Sequence, residues 1–178
     1  EALEKIRIKP RAILLEPLGK NTSAAVTLSS LHIFKENPDA IILVMPSDHL
    51  IHNETKFNDF IKVLISDFDD QKIHVFGIKP TKPSSEYGYI KIGKKKTKYT
   101  FNVESFYEKP KIKDAEKFLK TKNFFWNSGM FLFSSKTFIE EMNIFDIDNP
   151  MWSAVTSYTE AITNVPLNRL YNKTQNIR

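Results

Sequence analysis

An α/β domain is what this 178-residue sequence predicts: a mostly parallel sheet flanked by helices, with a β-hairpin inserted late in the chain. Three observations predict it. Apolar runs at residues 41–45 and 73–78, rich in β-branched side chains, suit strands covered on both faces. Helical spacing of apolar residues precedes each run, and strand, helix, strand in that order implies parallel pairing through right-handed crossovers. From Lys79 onward the texture changes to proline, glycine and alternating aromatic residues, the mark of a hairpin.

The elements follow in order. Residues 12–15 read as a short apolar strand, and Glu16, Pro17, Leu18, Gly19, Lys20, Asn21 and Thr22 follow as a loop rich in turn residues. Asn21 or Thr22 can cap a helix in which Ala24, Ala25, Leu28, Leu31 and Phe34 recur at helical spacing, until Asn37 and Pro38 stop it. A loop that delivers free N–H groups to a helix start can hold a base edge or an anion; an ordinary N-cap explains it equally. The run at 41–45 follows as a central strand, and Pro46 ends its ladder by removing a donor, which leaves Ser47, Asp48 and His49 at its C-terminal end. Ligands bind at that end of open α/β sheets, so Asp48 is a candidate for metal or phosphate chemistry, beside the plainer reading of a turn cap. Phe57, Phe60, Ile61, Leu64, Ile65 and Phe68 mark an amphipathic helix that packs on the sheet, and residues 73–78 form the next strand, so a Rossmann-like sheet results.

Beyond Pro80 and Pro83, residues 87–92 alternate as a strand and residues 100–107 return, joined by a turn that carries Lys94, Lys95, Lys96 and Lys98. Gly88, between two tyrosines, marks either a bulge or a close backbone approach by a ligand. Glu108, Lys109 and Pro110 end the return strand; as neighbours, Glu108 and Lys109 point to opposite faces unless the turn rotates one of them. Ala115, Phe118 and Leu119 mark a short helix. Residues 124–129 lead into an apolar strand at 130–133, and residues 134–142 and 151–162 read as helices, with no firm pattern in 166–178.

Composition narrows the function classes. The chain has no cysteine, so disulfides, thiolate nucleophiles and thiolate metal sites are excluded. No apolar run reaches the length of a membrane span, and a soluble, cytoplasmic protein with no membrane partner is expected. Lys+Arg 26 against Asp+Glu 21 gives 26 − 21 = +5, a weak bias toward anionic ligands. The lysine cluster reads as a solvated hairpin tip that blunts a sheet edge, and no nucleic-acid partner is expected. His49 and His52 have no third ligand near them in sequence, which argues against a histidine metal site.

Taken in order, EPLGKNTSAA, PSDH, EYGYI, FYEKP and WNSGMFLF resemble motifs of the sugar-nucleotide nucleotidyltransferases, most closely the mannose-1-phosphate guanylyltransferases, and the resemblance spans nearly the whole chain. It implies the nucleotide-diphospho-sugar transferase type of fold, a single nucleotidyltransferase domain over residues 1–178, and the joining of mannose 1-phosphate to GTP with release of pyrophosphate. Carried over residue by residue, it implies that Glu16, Pro17, Gly19, Asn21 and Thr22 lie beside the guanine and that Asp48 holds a catalytic Mg²⁺. It further implies that Gly88, Glu108 and Asn127 hold the sugar and that Lys109 meets the sugar phosphate.

The motifs also depart from the family pattern. Lys20 stands in place of the usual Arg, Ser23 and Ala24 replace Ala-Pro, and Glu86 replaces the first glycine of Gly-Tyr-Gly-Tyr. Lysine lacks the bidentate fork of arginine, so a contact there is less directional. The family's glycine-rich phosphate loop and a second metal-binding Asp have no counterpart here. A truncated domain is therefore expected, inactive alone, with a separate polypeptide supplying the N-terminal segment or with a homodimer covering exposed sheet. The alternative is a non-catalytic fragment that binds a partner or the sugar ligand.

Overall fold

The structure is a computed structural model that describes residues 5, 7–15 and 21–146; the helix expected at 151–162 and the unpatterned residues 166–178 lie outside the described residues. The elements are α1 (Asn21–Glu36), β1 (Ile41–Val44), α2 (Glu54–Ser66), β2 (His74–Ile78), β3 (Tyr89–Lys95), β4 (Phe101–Tyr107), α3 (Ile112–Lys120), β5 (Phe124–Ser134) and α4 (Ser135–Asp146). Helices and a mixed sheet make the chain an α/β protein, as expected. It divides into two compact units, Glu1–Ala40 with Ser134–Arg178, and Ile41–Phe133. Among the described residues no helix is long and apolar enough to cross a membrane.

In the first unit, α1 runs from Asn21, so Asn21 and Thr22, the two residues expected to cap it, both lie inside the helix; it buries Ala24, Thr27, Leu28 and Leu31 along one stripe. α1 packs against α4. The turn after α1 is tied to the start of α4: buried Ser135 donates its hydroxyl to the carbonyls of Asn37 (3.1 Å) and Pro38 (2.6 Å), and its N–H to that of Ala40 (2.8 Å). Residues 12–15, expected as a strand, form no part of one, and Ile13 and Leu15 are 69% and 64% exposed. Apolar character gives a segment the propensity for a strand, but a strand also needs a place in a ladder, and the sheet is built from other segments.

The second unit holds the sheet, in the order β1-β5-β3-β4, with β2 also paired to β5. Two expectations need correction. Three pairings, β2 with β5, β3 with β4 and β3 with β5, are antiparallel, so the sheet is less parallel than the alternation of strands and helices implies. Consecutive strands are usually neighbours, but here β1 and β2 each pair with β5, a strand from the far end of the unit, instead of with one another. The 41–45 strand is likewise not central: β1 stands at the end of the order, with only Ile42 buried and Ile41 41% exposed. β5 also runs unbroken through Asn127, Ser128 and Gly129, which the sequence places ahead of the strand.

The helices of this unit form where periodicity places them. Asn53 caps α2 by accepting from the Lys56 N–H at 2.9 Å. The apolar stripe of α2 is only half-buried, and its anchor is Phe60, set edge-on to Phe76 of β2 (6.4 Å) and to Tyr99 of the hairpin turn (5.5 Å). Beneath β3 and β5, α3 inserts Ala115, fully buried, and Phe118, which stacks on Phe124 at 4.1 Å and lies 5.4 Å from the buried ring of Tyr89. This cluster fixes β3 against β5. The hairpin turn is held by Thr97, whose hydroxyl oxygen accepts from the N–H groups of Tyr99 and Thr100, and its lysines are exposed as expected.

Candidate functional site

Three strands meet at Gly88. Tyr89 is paired with Tyr107 on one side and with Trp126 on the other, so one step back along β3 sets Gly88 between Glu108 and Asn127. The Asn127 N–H donates to the Gly88 carbonyl at 2.8 Å. A Cβ on Gly88 would lie 2.9 Å from Glu108 Oε2 and 3.6 Å from Asn127 Cβ, so both side chains stand on the face that the glycine leaves open. No β3–β4 register shift falls beside Gly88: the shifts in β3 lie at Lys91 and beyond.

Lys109 joins them through its backbone. Its φ of +43° is in the left-handed region, although it carries a side chain and precedes Pro110; such a position costs about 1–3 kcal/mol and is held only by its surroundings. The turn settles the question of faces: instead of pointing away, the Lys109 ammonium sits 3.9 Å from Glu108 Oε1, both side chains being largely exposed. Nearby on the hairpin, Lys91 pairs with Glu104 at 2.7 Å, and the hydrogen bond its ammonium donates to that carboxylate raises the Lys91 pKa.

The end of β1 approaches the same region from another direction. Gly129, two residues past Asn127, has φ +71° and its Cβ position lies 3.5 Å from the Pro46 ring. Asp48, two residues beyond Pro46, is exposed in the turn that follows β1. The structure thus gathers Gly88, Glu108, Lys109 and Asn127, and brings the loop that carries Asp48 to the bulge beside them. No group of three or more His, Cys, Asp or Glu able to hold a metal forms among the described residues. His49 and His52 are exposed.

Of the residues that the resemblance places beside the guanine, Glu16, Pro17 and Gly19 lie outside the described residues. Asn21 opens α1, and Thr22 is exposed in its first turn. Both belong to the first compact unit.

Sequence reasoning missed Pro46, Ser128 and Gly129 as parts of this region. The signal was present: Asn-Ser-Gly is a turn-type run inside an apolar strand, which marks a bulge.

Comparison with known proteins adds to this geometry. The nucleotidyl transferase family model matches residues 2–161. The xanthan biosynthesis protein XanB of Xanthomonas campestris pv. campestris (strain B100) is 42% identical over 145 residues, 82% of this chain and 31% of that protein. A mannose-1-phosphate guanylyltransferase of Klebsiella pneumoniae is 36% identical over 151 residues, 83% of this chain and 32% of that protein. Among solved structures, the mannose-1-phosphate geranyltransferase from Thermus thermophilus superposes with a TM-score of 0.74 at 28% identity, over 89% of this chain and 45% of that one. The chain spans about a third of the length of these curated relatives.

Proposed function

Because this chain belongs to the nucleotidyl transferase family, we propose that it is the sugar-phosphate-recognising part of an enzyme of the mannose-1-phosphate guanylyltransferase type. The observation that carries this reading is the side-chain-free face of Gly88, where a Cβ would lie 2.9 Å from Glu108 Oε2 and 3.6 Å from Asn127 Cβ, with the Lys109 ammonium beside Glu108. An ionised carboxylate offers several acceptor sites to hydroxyls, an amide offers a donor and an acceptor, and an ammonium suits a phosphate. A hexose phosphate carries all the matching groups.

In the reaction proposed for the whole protein, a phosphate oxygen of mannose 1-phosphate attacks the α-phosphorus of GTP. The bond from that phosphorus to the bridging oxygen breaks, and pyrophosphate leaves with the electron pair. Positioning and charge neutralisation do most of the work in such transfers. Glu108 and Asn127 would hold the sugar, and Lys109 would offset the charge of its phosphate. Glu16, Pro17, Gly19, Asn21 and Thr22 would border the guanine. Asp48 fits a Mg²⁺ role by its chemistry, one exposed carboxylate on a strand end, since Mg²⁺ takes one or two carboxylates together with substrate phosphates; when bound, the ion screens the charge of those phosphates. For this segment by itself we propose sugar-phosphate binding without turnover.

The test is a calorimetric titration of the chain with mannose 1-phosphate, beside Glu108→Gln. Losing a charged acceptor costs about 1.5–3 kcal/mol, so affinity should fall ~10- to 100-fold. Unchanged affinity in the variant would remove the sugar-site assignment.

A further inference from the structure

β5 carries a bulge just where Asn127 stands. Gly77 pairs with Asn127 and Val75 pairs with Phe131, so Phe76 alone lies opposite Ser128, Gly129 and Met130. Three residues against one leave backbone donors that the ladder with β2 cannot take up. The neighbouring side chains accept them: the Gly129 N–H donates to Asn127 Oδ1 at 3.2 Å, and the Met130 N–H donates to Ser128 Oγ at 3.1 Å. The bulge continues through a left-handed φ of +71° at Gly129, a conformation that glycine takes without steric cost and a residue with a Cβ does not.

This fixes the amide. A backbone N–H can only donate, so the end of the Asn127 side chain that it meets is the oxygen, and the nitrogen is the end left over. The Asn127 main chain is held as well, through its own N–H to the Gly88 carbonyl at 2.8 Å. Across Gly88, ionised Glu108 offers acceptors only. The open face therefore has a donor end and an acceptor end.

We infer that Gly129 is a positioning residue of the site, and that Asn127 meets its ligand through the amide NH₂, donating to an acceptor oxygen while Glu108 takes hydroxyl donors. The identity of the ligand rests on the sugar-phosphate reading above; the orientation of Asn127 does not. The site would accordingly select for a ligand that presents an oxygen lone pair to Asn127 and a hydroxyl hydrogen to Glu108 across the width of one strand.

The experiment is amide-resolved NMR on the chain. Without ligand, exchange of the Gly129 amide proton should be slowed in the parent protein and at least ~10-fold faster in Asn127→Ala, which lacks the acceptor. Equal protection in both proteins would overturn the positioning claim. On titration with mannose 1-phosphate, the Asn127 side-chain NH₂ resonances should shift downfield and exchange more slowly. Resonances that stay put while Gly88 and Glu108 signals move would overturn the donor assignment. A parent protein whose spectrum does not respond to millimolar mannose 1-phosphate would overturn the sugar-phosphate reading and the ligand half of this inference with it, while the Gly129 exchange data still decide the positioning half. Gly129→Asn should lose less affinity than Gly129→Val, because asparagine tolerates the left-handed region and a β-branched residue does not; the reverse order would count against the backbone argument.

Discussion

Two glycines that flank Asn127 should respond oppositely to the same substitution, and the contrast separates site from scaffold. In Gly88→Ala the new methyl meets Glu108 Oε2 at 2.9 Å, the far end of an exposed, flexible side chain, and Asn127 Cβ at an ordinary 3.6 Å. Glu108 can swing aside, so stability should fall by no more than about 0.5 kcal/mol, and the lost backbone freedom of the unfolded chain acts in the opposite direction, by ~0.4–1 kcal/mol. The methyl nevertheless occupies the open face. A ligand displaced from Glu108 loses a charge-assisted hydrogen bond, about 1.5–3 kcal/mol, so affinity for mannose 1-phosphate should drop ~10- to 100-fold. In Gly77→Ala the methyl meets Phe125 Cβ at 2.8 Å, an atom fixed to the backbone, so the β2–β5 pair itself must part. Overpacking of this kind costs about 1–3 kcal/mol. Urea denaturation and calorimetry on both variants supply the readout. A Gly88→Ala protein that binds as tightly as the parent, or one destabilised as much as Gly77→Ala, would refute the reasoning.

Two further outcomes follow from backbone strain and from ion pairs. Lys109→Asn should raise stability by up to ~1 kcal/mol, because asparagine accepts the left-handed φ more readily, while weakening mannose 1-phosphate binding at least ~10-fold through loss of the ammonium; unchanged affinity would take Lys109 out of the site. Asp114 has its pKa lowered by a hydrogen bond from Lys117, whose own pKa that bond raises. A lowered acid contributes stability above its unfolded value of 3.8 that is lost as pH falls through the folded value; a raised lysine contributes below its unfolded value of 10.5 and loses it as pH rises. Thermal melts from acid to alkaline pH should therefore show Lys117→Met with a shallower loss at both extremes, and added salt should shrink the difference.

What the sequence made legible was local. The helices at α1, α2 and α3 announce themselves through the spacing of Ala24, Leu28 and Leu31, of Phe57, Phe60 and Leu64, and of Ala115 and Phe118, and each forms where its spacing places it. The hairpin is legible for the same reason, since its strands and its turn are contiguous. Pairing is non-local, and there the sequence misleads: nothing in residues 41–45 says that β5 will be their neighbour, or that β1 will stand at the end of the order with Ile41 half-exposed. The site divides along the same line. Gly88, Glu108, Lys109 and Asn127 are singled out by resemblance, whereas their residue types alone leave plainer readings open. That Glu108 and Lys109 share a side depends on a φ of +43°, which no spacing rule anticipates before a proline.

Left-handed backbone is concentrated near the proposed sugar-phosphate site. Among the described residues, positive φ occurs at Arg7, Lys109 and Gly129, and two of these three belong to the neighbourhood of Gly88. On a residue with a side chain, as at Lys109, such a conformation persists only where surrounding contacts over-determine it, whereas glycine adopts it without strain. Around Gly129 the contacts are countable: its N–H goes to Asn127 Oδ1, the next N–H goes to Ser128 Oγ, and the Asn127 N–H goes to the Gly88 carbonyl. Each of these bonds lies within or between adjacent strands, so none of them requires a ligand to form. The Asn127 amide is therefore already turned in the ligand-free chain, and the ordering cost that an adaptable side chain would incur on binding falls instead on folding. Glu108 and Lys109, exposed on the turn beyond β4, keep their side-chain freedom until something binds. A rigid donor facing two mobile charged groups leads to an ordered expectation: variants at Gly129 act by unsetting a geometry made in advance, and variants at Glu108 and Lys109 act by removing interactions made only with the ligand.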